Sequence, residues 1–254
     1  MEQYTGNYKK LRYEQYFIDT TGDVNKTGKA SFQIEYQSIN YVYKGILTHA
    51  NYCVRFDEKR NVIQIHFEGT KDVPDWITNI MFQPKYYESF MWNDKKITLK
   101  VHKAWAAMYK VMKDYIRKEV STLKDKHPNA EVEIIGWSLG SGQAMLCAQD
   151  LNYNFGIQSH LFTFGSVNLF KINVFNKNKT IKYLRSCCKS YHIFCNKNDI
   201  VTYLVPRIFG FVKLGRINLK GNFNFFGLFN VMKNHFVYDN SSLYRNIYRK
   251  ERKC

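Results

Sequence analysis

Acidic residues are scarce in this chain: 21 Asp and Glu stand against 38 Lys and Arg, a formal charge of +17 over 254 residues. That imbalance implies an acidic partner, either nucleic acid or anionic lipid headgroups. Yet no helix-turn-helix, zinc finger or RNP-type aromatic motif accompanies the charge, so no specific nucleic acid is expected. Peripheral contact with an anionic membrane surface is the partner that remains. A compositional bias toward Lys, Asn, Ile, Tyr and Phe gives the same charge with no partner at all.

Proline is rarer still, with four residues, and no Pro/Gly/Ser-rich linker divides the chain. With 45% hydrophobic residues it can bury a sizeable core, and one domain over 1–254 is expected. No run of 18 apolar residues exists, and Met1-Glu2-Gln3-Tyr4-Thr5-Gly6 lacks a basic n-region and an apolar h-region. The expectation is a soluble, cytoplasmic chain without a Sec-type signal. Six cysteines fall irregularly, at Cys53, Cys147, Cys187, Cys188, Cys195 and Cys254. They suit free thiols in a reducing compartment better than a disulfide framework. His192 and Cys195, three apart in a predicted strand, face opposite sides of it and do not suggest zinc, so neither metal nor cofactor is expected.

What is present begins with pattern. Residues 1–50 are Tyr-rich and polar, and are expected to form an N-terminal helical extension with helices near Lys9–Phe17 and Ser31–Asn40. Tyr52–Phe56 and Asn61–Phe67 alternate as two strands of a hairpin around Asp57–Arg60. Apolar residues at Trp105, Met108, Met112, Tyr115, Ile116, Val120 and Leu123 then recur at helical spacing until His127-Pro128-Asn129 stops them. A strand at Val132–Ile135, a helix from Leu139 to Leu151, and strands at Leu161–Phe164 and Tyr191–Cys195 follow. This alternation predicts an α/β fold with parallel βαβ units, whose sites lie at the carboxyl ends of the strands.

Gly136-Trp137-Ser138-Leu139-Gly140 sits at such an end. Gly-x-Ser-x-Gly between a strand and a helix is the pattern of a nucleophile elbow, in which the turn holds a serine hydroxyl toward a base and an oxyanion hole. The pentapeptide alone would arise in roughly one chain of this length in twelve, so context has to carry it. An elbow of this type needs an acid and then a histidine downstream. After Ser138 the acids are Asp150, Asp199, Asp239 and Glu251, and the histidines are His160, His192 and His235. Asp239 and Glu251 have no histidine after them. Asp150 lies twelve residues along the elbow's own helix, about 18 Å away at 1.5 Å per residue. Asp199 follows a strand and has one histidine after it, His235. Ser138, Asp199 and His235 are thus the candidate catalytic residues. The candidate oxyanion donors are the Leu139 N–H and Thr70, which closes Phe67-Glu68-Gly69-Thr70.

On these residues the chain resembles the class 3, fungal-type lipase family of α/β-hydrolases, over about 52–238. Phe67-Glu68-Gly69-Thr70 is similar to the family's Phe-Arg-Gly-Thr, and Asp75-Trp76-Ile77-Thr78-Asn79 to its Asp-Trp-Leu-x-Asp. Val101-His102-Lys103-Ala104-Trp105 resembles Val-His-x-Gly-Phe. Ile135–Gly140 corresponds to the elbow, Phe162–Ser166 to the Thr-Phe-Gly-x-Pro strand end, Asn198–Val201 to the acid motif, and His235 with Tyr238 to the final His-x-x-Tyr. The chain departs from the pattern at Trp137 for His, Ser141 for Gly, Glu68 for Arg and Val167 for Pro.

The resemblance implies an α/β-hydrolase fold, a mostly parallel central sheet with helices on both faces, followed by a basic tail over 240–254. It implies a serine ester hydrolase of lipase or phospholipase A1 type, acting on a lipid or other ester through an acyl-enzyme. It also implies a lid after the oxyanion segment, where Trp76, Phe82, Phe90 and Trp92 would cover the acyl chain. The competing expectation, which the charge and the altered elbow neighbours raise, is a hydrolase-like protein that no longer turns over and binds anionic membrane or nucleic acid.

Overall fold

The computed structural model describes residues 34–43, 46–69, 84–172, 177–196, 199–203, 210–215 and 217–219. A seven-stranded sheet in the order β1-β2-β3-β6-β7-β9-β11 carries the site. Its strands are β1 (Gln37–Tyr43), β2 (Ile46–Asp57), β3 (Val62–Phe67), β6 (Glu131–Trp137), β7 (Ser159–Phe164), β9 (Cys188–Asn196) and β11 (Ile217–Leu219). The first two pairings are antiparallel and the other four parallel. The predicted hairpin is β2–β3. A smaller antiparallel sheet, in the order β10-β8-β5-β4, joins β4 (Pro84–Trp92), β5 (Lys95–His102), β8 (Phe170–Lys171) and β10 (Phe211–Val212).

Three helices are described: α1 (Lys103–Lys126), α2 (Gly140–Phe155) and α3 (Lys177–Ser186). Of the apolar residues at helical spacing in α1, Trp105, Met108, Met112, Ile116 and Val120 are buried together with Tyr109 in one core with Ile63, Ile65, Phe67, Ile134 and Leu161 of the sheet, whereas Leu123 is half-buried and Tyr115 is exposed. His102 caps the helix by accepting the Ala104 N–H on Nδ1 at 3.3 Å, and His127 ends it. Helix α2 is buried along nearly its whole length and closes on Gly156, whose φ of 67° suits a left-handed cap.

The predicted helix over Ser31–Asn40 is overturned in its described half. Gln37–Tyr43 is strand β1, paired along its length with β2. Ile39, Tyr41 and Tyr43 alternate against the core, a period of two made by β-branched and aromatic residues that suit a pleat. Lys9–Phe17 lies outside the described residues.

Candidate active site

Strand β6 ends at Trp137, and Ser138 turns the chain directly into α2. Its φ is +54°, a left-handed conformation that a residue with a side chain seldom adopts, stabilised by the surrounding contacts. The Ser138 N–H donates to the Phe164 carbonyl of β7 at 2.8 Å, and Ser141 and Gly142 donate backbone bonds to the Ser138 and Leu139 carbonyls. The two elbow glycines are required by close approach. A Cβ on Gly136 would meet the Gly140 carbonyl, and one on Gly140 the Phe67 carbonyl. The end of β3 therefore lies directly against the helix start.

Trp105 supports this turn from α1. Its indole N–H donates to the Leu139 carbonyl at 2.9 Å, and its ring fills the space where a Cβ on Gly142 would sit. His102 stands edge-on to that ring, with centroids 4.8 Å apart. Trp137, the residue that departs from the family before the serine, lies against Gly69, where a Cβ would come within 2.7 Å of its ring. Glu68 is held at the same edge, its carboxylate taking a short hydrogen bond from the Asn51 amide and its N–H donating to the Asn51 carbonyl.

Asp199 follows β9, two strands from β6 and parallel to it, so it emerges at the same sheet edge as Ser138. It is completely buried. Its Oδ1 accepts the Val201 N–H at 2.9 Å, and its carbonyl accepts the Thr202 N–H at 3.1 Å and hydroxyl at 2.8 Å. Those bonds shape the short 3-10 turn Ile200–Tyr203. Thr70, Trp76, Phe82 and His235 lie outside the described residues. Phe90 and Trp92 are on β4, with Trp92 edge-on to Tyr183 of α3 at 5.6 Å.

The residues set aside on sequence grounds have other work. Asp150 is buried between α1 and α2, where it takes the Tyr109 hydroxyl at 3.0 Å and Arg117 at 3.0 and 2.5 Å. His192 stacks on Phe162 at 4.9 Å, whereas Cys195, three residues on, lies beside Lys213. His160 bonds Ser190 and Glu131 near the start of β7, and burial, then Lys189 and His192, lower its pKa to about 4. Cys53, Cys147, Cys187, Cys188 and Cys195 are buried free thiols, and burial pushes that of Cys187 up to about 11. Sequence reasoning passed over Lys213 altogether. The visible signal was a lone lysine within the apolar run Phe209–Leu214.

The sequence pattern of the family described as Lipase (class 3) matches residues 64–209, more than half of the chain. The chain belongs to the class 3 lipase family. Among its relatives, the lipase of Rhizomucor miehei is 28% identical over 174 residues, 67% of this chain and 45% of that protein. The lipase of Rhizopus niveus is 28% identical over 179 residues, 68% and 42% respectively. The chain thus spans less than half the length of these relatives. A solved structure of Rhizomucor miehei triacylglyceride lipase superposes with a TM-score of 0.65 at 20% identity, covering 87% of this chain and 83% of that one. A Penicillium cyclopium structure superposes at 0.63 and 17% identity with the same coverage. These likenesses establish the α/β-hydrolase fold.

Proposed function

We propose that this chain is a serine carboxylic-ester hydrolase acting on lipid esters. Ser138 Oγ attacks the ester carbonyl. His235 takes its proton and later returns it to the leaving alcohol, and Asp199 orients the imidazole and stabilises its charged form. The oxyanion is met by the Leu139 N–H and by Thr70. The observation that carries the reading is the strained φ of Ser138 at the end of β6, with buried Asp199 at the end of a parallel strand on the same edge. A triacylglycerol lipase with the same fold carries a serine-protease triad as its catalytic centre.

The substrate is read as a lipid because apolar residues follow the oxyanion segment, where Trp76, Phe82, Phe90 and Trp92 would form the acyl-binding cover. The charge of +17 supports an anionic phospholipid over a neutral triacylglycerol as substrate, and peripheral contact with an anionic membrane surface. The experiment is labelling by a serine-directed fluorophosphonate, with ester turnover measured in parallel. Ser138→Ala is expected to remove both, and turnover that persists in this variant would refute the reading. Salt-sensitive vesicle binding without labelling of the unaltered chain would favour a binding protein that has lost turnover. Vesicles of graded anionic content, compared with triacylglycerol emulsions, test the headgroup.

A further inference from the structure

Lys213 is a buried cation that the proposed chemistry leaves without a role. It is 5% exposed, and its Nζ makes a short hydrogen bond to the Ser166 carbonyl, another to the Thr202 carbonyl at 2.8 Å, and lies 3.5 Å from Cys195 Sγ. An ammonium taken out of water is costly unless acceptors replace its hydration. Here the acceptors come from the turn after β7, the turn after Asp199, and β9 itself. One side chain thus ties together three segments at the edge that bears Ser138 and Asp199.

The link extends in both directions. The Ser166 carbonyl and the Val167 N–H belong to one peptide group, and that N–H donates to Ser141 Oγ at 3.4 Å. The Ser141 hydroxyl donates in turn to the Ser138 carbonyl at 2.5 Å. On the other side, Thr202 is bonded to the Asp199 carbonyl through both its N–H and its hydroxyl. A continuous chain of hydrogen bonds therefore runs from the nucleophile turn to the acid turn. Two of its members stand where the family pattern has other residues, Ser141 for glycine and Val167 for proline. Proline has no N–H to donate and glycine no hydroxyl to accept, so this contact exists only because both positions differ together.

We propose that Ser141, the Ser166–Val167 peptide and Lys213 form a strut that sets the spacing between Ser138 and Asp199, with Ser141 and Lys213 acting as positioning residues. The inference rests on the hydrolase reading above. Its consequence is kinetic, because the base must fit between nucleophile and acid, and a displacement of about 1 Å can cost roughly a hundredfold in rate.

The test uses the full chain, the fluorophosphonate labelling rate at Ser138, and turnover of a soluble butyrate ester across pH. Lys213→Met is expected to lower kcat about 10- to 100-fold while KM stays within about twofold. It should also shift the acid limb of the pH profile, and Lys213→Arg should regain part of the loss. An unchanged kcat, or a loss shared with a matching rise in KM, overturns the proposal. Because Lys213→Met can fail to fold, Ser141→Gly and Val167→Pro supply a second arm. Each should slow labelling about tenfold, and the double variant also about tenfold, since both break the same contact. A double variant slowed about a hundredfold shows independent effects and overturns the strut. If the unaltered chain does not label, the hydrolase reading fails by itself. The strut is then judged by the same cycle in thermal unfolding midpoints, where additive shifts overturn it.

Discussion

The turn after β6 and the turn after β9 bring their residues to the same sheet edge by different means. The Ser138 turn adds close packing to its hydrogen bonds: Gly136, Gly140 and Gly142 sit where no Cβ fits, against the Gly140 carbonyl, the Phe67 carbonyl and the Trp105 ring. The acid turn is held by polar bonds, with Val201, Thr202 and Lys213 meeting Asp199 and its neighbours through N–H, hydroxyl and ammonium groups. The difference follows from what each must do. A strained φ of +54° has to be kept from relaxing, and a wall of backbone does that. A buried carboxyl group has lost its water and needs donors in its place.

The largest effect should come from the carboxyl group of Asp199. Asp199→Asn retains the shape of its turn but is expected to lower kcat about 10³- to 10⁴-fold, with a thermal midpoint close to that of the unaltered chain. A loss below about tenfold would mean that the acid turn is structural only. Next comes packing at the other turn. Gly140→Ala adds one methyl against backbone carbonyls that cannot move aside, and should cost about 3 kcal/mol in urea unfolding, with loss of labelling at Ser138.

Trp105→Phe asks whether the nucleophile turn also depends on a polar bond. It leaves the buried Leu139 carbonyl without its indole donor and opens space beside Gly142. The expected cost is about 2 kcal/mol, with a kcat reduction of about tenfold. A stability loss without a kcat change would place Trp105 in the core alone.

The smallest expected effect lies away from both turns, at the opposite end of β7. The folded pKa of His160, about 4, is below its ordinary 6.5, so the unfolded chain takes up the proton first as pH falls. Its contribution is complete above about pH 6.5 and lost as pH drops toward 4. Between pH 7 and 5, unfolding free energy should decline by about 1–2 kcal/mol from this group, and His160→Gln should flatten that slope. Fully buried His66, whose pKa burial also lowers, adds a decline of the same sign.

How legible each part was depends on how local its cause is. Strands β2, β3, β6, β7 and β9 and helices α1 and α2 are legible locally: one buried face gives α1 its period of 3.6, whereas β6, β7 and α2, buried all round, read as apolar runs bounded by turn residues. The elbow was readable for the same reason, as a strand, a turn and a helix are contiguous. Asp199 could be named as the candidate acid by elimination, because acids are so few after Ser138. Strand β1 was misread: seven residues with a polar start carry little pattern until β2 lies beside them. The roles of Lys213, Ser141 and Trp105 were hidden, since their partners are 47, 26 and 34 residues away.

The sequence by itself determined the α/β class, the βαβ order, the family and the place of the Ser138 turn between strand and helix, because these follow from chemistry repeated within a few residues. Only the tertiary structure decided what holds that turn. Whether Gly142 faces open space or Trp105, and whether a serine in place of glycine meets a valine in place of proline, depends on groups brought together by strand pairing. At that edge, local pattern ends and packing and hydrogen-bond satisfaction between distant segments take over.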